Sequence, residues 1–257
     1  MTDIRRGRLH IGTSGWHYRH WKNSFYEGRP ASQWLAFYAR HFNSVEINAS
    51  FYRDPSPSTL RQWHDTTPGD FRFTIKGHRY ISHVKRLHDA GEAIAREKNL
   101  YQALRNKLAI IVWQLPVNFH INIPRLEAFC GALQAWREVR HAIEFRHDSW
   151  FGQDTMTCLQ ENQIAVCQSD AADWPLWDSI TTDLVYIRLH GHSRTYASAY
   201  SPRLLGQWRQ YISRCLHHGN DVYVYFDNDA EGAAPRDALR LQSWLAGDAD
   251  SLTAPSA

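Results

Sequence analysis

The chain has 257 residues, 43% of them hydrophobic, and a formal net charge of +3 with histidines neutral. That length suits one α/β barrel or two small domains, and the charge is too small to mark a nucleic-acid binder by itself. No run of about 18 apolar residues is present to span a membrane, the N-terminus lacks a signal-peptide core, and four scattered cysteines without a Cys-x-x-Cys pair indicate neither a zinc knuckle nor a disulfide scaffold. The expectation is a cytoplasmic protein with reduced thiols.

Taken in order, Leu9 to Trp16 reads as a first strand breaking at Gly12 and Gly15. A loop rich in aromatic and basic residues follows to Pro30, then a helix from Ser32 to Phe42 with Ser32 as its N-cap. Ser44 to Ser50 is a second strand, with Val45 and Ile47 on one face and Glu46 and Asn48 on the other. Ser58 opens a short helix to His64, and Phe71 to His78 is a third strand that alternates strictly. A helix over Ala90–Leu104 leads to a fourth strand, Leu108–Leu115, and a helix over Pro124–Trp136 to a fifth, Ala142–Trp150. A helix from Gln153 to Asn162 and a sixth strand, Ile164–Asp170, come next. The seventh strand is Leu184–Gly191, followed by a helix over Pro202–His217. The eighth is Asp221–Asn228, followed by a helix over Ala234–Leu245 and a tail, about 248–257, expected to be disordered.

Eight strands mostly alternating with helices, with no composition shift to split the chain, indicate a single TIM-like (β/α)8 barrel domain over residues 1–257. The loop from Ala171 to Asp183 takes the place of one helix. An open doubly wound sheet is the rival, and no Gly-x-Gly-x-x-Gly follows the first strand to favour it.

In a barrel of this kind active sites form where the strands run out. Polar residues recur there: Glu46, Asn48, Lys76, Gln114, Glu144, Arg146, Asp170, Arg188, His190 and Asp227. Period-two counting puts Glu46 with Asn48, Glu144 with Arg146, and Arg188 with His190 on common faces. The opposite faces are apolar and suit helix packing. Glu144 and Arg146 on one extended strand stand roughly 6–7 Å apart, close enough to share a charge network without certain direct pairing.

The pattern supports an enzyme doing acid–base chemistry on an anionic or sugar-like small molecule, as a hydrolase, lyase or isomerase. Glu46, Glu144, Asp170 and His190 are its catalytic candidates. Asn48, Lys76, Gln114, Arg146, Arg188 and Asp227 would bind substrate, and Trp16, Tyr52 and Trp150 would form an aromatic rim. No cofactor is predicted. A divalent metal is the weaker alternative, since Glu46, Glu144, Asp170, His190 and Asp227 offer ligands but three neighbouring cations oppose it. A nucleic-acid-binding or processing barrel is a second reading, gripping phosphates with the loop Trp16–Arg29, His78-Arg79 and Lys85-Arg86 while aromatics stack on bases. A non-catalytic ligand-binding module is the third. The oligomeric state has no signal in the sequence.

Gly12-Thr13-Ser14-Gly15-Trp16, Phe42-Asn43-Ser44-Val45-Glu46-Ile47-Asn48 and Phe51-Tyr52 resemble the domain-of-unknown-function seventy-two family, the YecE-like proteins. The likeness continues through Phe71-Arg72-Phe73 with Lys76, Gln114-Leu115-Pro116, Glu144-Phe145-Arg146-His147 with Ser149-Trp150, Arg188-Leu189-His190-Gly191, and Tyr225-Phe226 with Asn228. It implies a TIM-barrel-like fold, akin to xylose-isomerase and endonuclease-type barrels, with no established reaction, and adds Asn228 to the substrate-binding candidates. Where that family's pattern reads Phe-Asn-Asn, this chain has Phe226-Asp227-Asn228, which adds a negative charge at the mouth.

Overall fold

Eight short runs of alternating character become parallel strands because each must bury an aliphatic face against helices and close a second face on the other strands. The structure, a computed structural model, describes residues 6–253. The strands are β1 (Leu9–Thr13), β2 (Ser44–Ile47), β3 (Arg72–Lys76), β4 (Leu108–Gln114), β5 (Arg140–Glu144), β6 (Ala165–Ala171), β7 (Leu184–Gly191) and β8 (Asp221–Phe226). All paired neighbours run parallel, in the order β1-β8-β7-β6-β5-β4-β3-β2, which is the sheet of a nearly closed (β/α)8 barrel. Several strands stop sooner than their alternation suggests. β2 ends at Ile47, β5 at Glu144 and β8 at Phe226.

The remaining seam, between β1 and β2, is closed by one backbone bridge and by side chains. Ser14 bridges Glu46 in parallel, and the Gly15 amide donates to the Glu46 carbonyl at 2.7 Å. Farther down, Asn43 substitutes for a strand residue: its Oδ1 accepts from the Ile11 amide at 3.0 Å and its Nδ2 donates to the Leu9 carbonyl at 2.9 Å. The Tyr38 hydroxyl accepts from the Thr13 amide at 2.8 Å and donates to the Ser44 carbonyl at 3.2 Å. Backbone groups that a closed ladder would pair are thereby satisfied. Gly12 permits the approach, since a Cβ there would lie 2.0 Å from the Ser44 carbonyl oxygen.

The helices are α1 (Trp21–Ser24), α2 (Trp34–Tyr38), α3 (Pro57–Thr66), α4 (Gly91–Tyr101), α5 (Ile123–Leu133), α6 (Gln153–Glu161), α7 (Pro202–His217) and α8 (Ala233–Thr253). Side-chain caps with a proline in the first turn start three of them: Ser56 accepts from Thr59 N, Asn122 from Arg125 N, and Ser201 from Leu204 N. Ser32, expected to cap a long helix, instead lies within the 3-10 turn Ala31–Gln33, and α2 is little more than one turn. Residues 172–183 carry no helix, as expected; Thr181 pins this loop by accepting from Val166 N and donating to the Ile164 carbonyl. α8 continues past the expected end at Leu245, while residues 254–257 of the expected tail lie outside the described residues. No helix among the described residues is long and apolar enough to cross a membrane.

The burial pattern separates two shells. Val45, Ile47, Phe73, Ile75, Ile111, Trp113, Ile143, Val185, Ile187, Val222 and Val224 face outward into the core shared with the helices. Ile110, Val112, Ala142, Ala165, Cys167, Leu184, Tyr186, Tyr223 and Tyr225 fill the barrel interior. Above this apolar plug the interior positions turn charged, and that change of character locates the site.

Candidate active site

Arg188 stands at the centre of the barrel mouth. It follows Tyr186 on the interior face of β7, and neither side chain is accessible to solvent. Its Nη2 donates to Glu46 Oε1 at 2.7 Å and its Nε to Glu46 Oε2 at 3.0 Å, the fork geometry that suits guanidinium to carboxylate. Nη1 donates to Glu144 Oε2 at 2.5 Å, and Nη2 also reaches Asp227 Oδ2 at 3.3 Å. Three carboxylates from β2, the end of β5 and the residue following β8 thus converge on one guanidinium.

Glu46 has no free lone pair. Besides Arg188, its Oε1 accepts from the Ser14 hydroxyl at 2.5 Å and its Oε2 from the Tyr186 hydroxyl at 2.5 Å. Glu144 is engaged mainly through Oε1, which accepts from Arg146 Nε at 2.8 Å and from the Ser169 hydroxyl at 3.1 Å, while Oε2 accepts from Arg188 alone. Direct pairing of Glu144 with Arg146 arises because β5 ends at Glu144, so the chain turns and Arg146 folds back instead of continuing along a strand. Burial by itself would raise the Glu144 pKa, but Arg146 and Arg188, helped by His190, hold the carboxyl well below its usual range. Arg146 lies over the Trp174 ring at 3.8 Å, and the Trp174 indole N–H donates to Ser169 at 2.8 Å.

His190 is skipped within the pairing of β7 with β6, since the register passes from Asp170–Leu189 to Ala171–Gly191. Such irregularities re-aim side chains. Its ring packs against both Trp174 and Tyr196, with Nδ1 3.0 Å from Asp227 Oδ2 and off the hydrogen-bonding direction. Burial opposes the Asp227 charge, but His190 and Arg188 keep its pKa below the ordinary value. Tyr196, at φ +63°, is held in a conformation rare for an aromatic residue, and its hydroxyl accepts from Arg146 Nη1 at 3.2 Å.

Lys76, at the end of β3, contrasts with these saturated groups. Its backbone is fixed, the carbonyl accepting from the Ser50 hydroxyl at 2.8 Å. The residue is only 6% exposed, and Nζ lies 4.1 Å from the centre of the Phe51 ring. Among the described residues Nζ has no hydrogen-bond or ion-pair partner. Burial, together with the Arg188 and Arg146 charges and against the pull of Glu144 and Asp227, lowers its pKa to about 8. The π-helical turn Tyr80–Val84 brings His83 edge-on to Phe51 at 4.9 Å between ring centres. Burial and the Lys76 charge bring the His83 pKa down to about 4, leaving a neutral imidazole near pH 7. Its Nε2 is 3.4 Å from Gln114 Nε2.

Of the residues expected at the site, Glu46, Lys76, Gln114, Glu144, Arg146, Arg188, His190 and Asp227 belong to this mouth. Asp170 does not. It points outward, with Oδ1 3.0 Å from His192 Nδ1, and borders a cavity of about 240 Å³ against α7. Alternation places Ser169, not Asp170, on the interior face. Trp150 is fully buried, its N–H donating to the Phe119 carbonyl at 2.6 Å, so it anchors the loop after β5 and forms no rim. Asn228 is also buried, donating to the Ser198 carbonyl and Asp237, each at 3.0 Å; it ties the end of β8 to α8. Trp16 and Asn48 line a separate cavity of about 440 Å³ bounded by α2 and α3, with no residue of the Arg188 cluster in its wall. Tyr52 is 66% exposed.

Of the carboxylates offered for a metal, Glu46, Glu144 and Asp227 close on the Arg188 guanidinium and Asp170 points away, and no group of three or more His, Cys, Asp or Glu among the described residues is arranged to hold an ion. In the loop expected to stack on bases, Trp16, Trp21, Phe25 and Tyr26 are all buried. Ser14 and Tyr186, absent from the sequence-based set, share interior parity with Glu46 and Arg188 and were within reach of the same counting. Ser169 was within reach too. His83, Trp174 and Tyr196 sit on loops whose course no local pattern specifies.

Comparison with known proteins gives one family. The model of the protein of unknown function DUF72 matches residues 10–257. The UPF0759 protein YunF of Bacillus subtilis (strain 168) is 24% identical over 273 residues, covering 92% of this chain and 94% of that one. The UPF0759 protein YecE of Escherichia coli (strain K12) is 30% identical over 146 residues, 56% of this chain and 51% of that one. A crystal structure of a DUF72 family protein from Thermotoga maritima MSB8 superposes with a TM-score of 0.82 at 27% identity, covering 93% of this chain and 99% of that one.

Proposed function

The chain belongs to the DUF72 family of unknown function, and from its barrel mouth we propose that it is an enzyme acting on a small anionic molecule by proton transfer. The observation that carries this reading is the pair of donors left without partners beside a saturated charge network: Lys76 Nζ and Arg146 Nη2, the latter fully buried. A buried cationic donor without an acceptor is costly, and an anion entering the mouth is the acceptor that both lack. Glu46, with every lone pair engaged, and Glu144, held ionised by Arg146 and Arg188, fix the two guanidiniums in place. Lys76, titrating within reach of neutral pH, and Asp227, with one oxygen outside the Arg188 and His190 contacts, are the groups able to move a proton.

The test is binding before turnover. At low ionic strength, inorganic phosphate and a panel of small carboxylates and sugar phosphates are titrated against the unfolding temperature. At least one should stabilise the wild type, with stabilisation lost in Arg146→Met and weakened in Lys76→Met. Stabilisation unchanged in both variants would place the anion elsewhere and remove the reading. Turnover of the bound compound, lost in Lys76→Met, separates an enzyme from a binding module.

A further inference from the structure

The five lysines of the chain are not alike. Lys107 is also buried, and its ammonium is held by the carbonyls of His64 and Thr67 and by the Thr67 hydroxyl. Lys85 donates to the Asp89 carbonyl at 2.6 Å, and Lys98 to both Glu138 oxygens and the Ala135 carbonyl. Lys22 is on the surface. Lys76 alone is buried at the mouth, its ammonium over the Phe51 ring and without a hydrogen-bond or ion-pair partner among the described residues. The contrast with Lys107 is the informative one. Burial lowers the pKa of both lysines, but Lys107 has acceptors that favour its charged form, whereas an amine that works in its neutral form is better left without them.

The surroundings supply what an amine nucleophile needs. Arg146 is positioned to hold a carboxylate or phosphate, its unpartnered Nη2 lying beyond the Nε pairing with Glu144. His83 is neutral and packs on the same Phe51 ring as Lys76, and Asp227 is ionised. The mouth therefore contains an amine, an anion anchor, and groups to take up and return protons.

We propose that Lys76 is a covalent catalytic residue, condensing through Nζ with the carbonyl carbon of an anionic aldehyde or ketone. The inference rests on the mouth being the anion site. The neutral amine adds to the carbonyl carbon; the C–N bond forms as the carbonyl π pair moves to oxygen, which takes a proton. The nitrogen gives up one proton to reach the neutral carbinolamine, whose hydroxyl takes up a proton from solvent and leaves as water as the nitrogen lone pair forms the C=N bond, to leave a protonated imine. That imine withdraws electrons from the neighbouring carbon, so a base in the mouth can remove a proton there. Release is the reverse, by addition of water. No oxidant or further cofactor is consumed.

The experiment is reductive trapping on the intact protein. Wild type is incubated with pyruvate, glyoxylate or glycolaldehyde phosphate near pH 8, reduced with sodium borohydride, and analysed by intact mass and peptide mapping. The expected result is close to one adduct per chain, confined to Lys76 and formed about tenfold faster than at Lys22 or Lys98. Lys76→Arg, which keeps the charge, should abolish it. An adduct spread over the surface lysines, or none at Lys76 while phosphate still stabilises through Arg146, would overturn the imine and leave the anion site standing. Loss of both the adduct and anion binding would overturn both.

Discussion

Arg188 and Glu46 face each other across the barrel with two parallel hydrogen bonds, at 2.7 and 3.0 Å, and neither side chain is exposed. A pair of this kind is weak evidence for net stability, yet removing one member strands the other. Arg188→Met leaves Glu46, Glu144 and Asp227 facing one another without their shared cation. It should destabilise by about 3–5 kcal/mol in urea unfolding, more than Glu46→Gln, which leaves Arg188 two carboxylates. An Arg188→Met cost under about 1 kcal/mol would show that hydration or proton uptake, not the guanidinium, relieves the carboxylates.

Three histidines make the fold sensitive to mild acid. Burial brings the pKa of His10, His83 and His141 from 6.5 to about 4. Their folded pKa lies below the unfolded one, so the unfolded chain binds more protons between pH 6.5 and 4, and stability falls as pH falls through that window. Glu144 and Asp227, also depressed, extend the loss below pH 4. The urea midpoint should drop steadily from pH 6.5 downward; a flat midpoint to pH 4.5 would contradict the assigned burial.

Glu97 acts in the opposite sense. It is buried in α4, accepts from the His78 amide at 2.9 Å, and desolvation raises its pKa to about 8. Its contribution is fully present below pH 4.5 and is lost as pH rises to 8, by on the order of 4 kcal/mol. Glu97→Gln keeps the acceptor and cannot ionise. The stability difference between variant and wild type should therefore grow in the variant's favour from pH 5 to pH 8.5. A difference independent of pH would mean that the carboxylate is stabilised by a group other than the His78 amide.

Trp150 separates anchor from rim. Trp150→Phe removes the bond to the Phe119 carbonyl and should cost about 1–3 kcal/mol, because that acceptor stays buried. Anion affinity at the mouth should be unchanged. Weakened binding without loss of stability would restore Trp150 to the ligand surface.

Much of this molecule is readable from its residues because strand and barrel impose short, local rules. Period-two alternation is a backbone property, so eight strands, their interior faces, and the charged residues Glu46, Lys76, Glu144, Arg188 and Asp227 at the ends follow from the chain itself. The same rule already excluded Asp170 from the face of Ser169. What alternation does not carry is where a strand stops and who meets whom beyond it. The end of β5 at Glu144 turned a separation of two residues into an ion pair, and the loops after β3 and β6 delivered His83 and Trp174 from positions with no periodic signal. Trp150 and Asn228 went into the packing because a buried indole or amide finds its partner through tertiary contacts. Most consequentially, whether a charge is satisfied or left free depends on the whole constellation. Sequence supplied the carboxylates and the cations, and only the closed barrel used Arg188 to saturate Glu46 and pair Glu144, and left Lys76 without a partner.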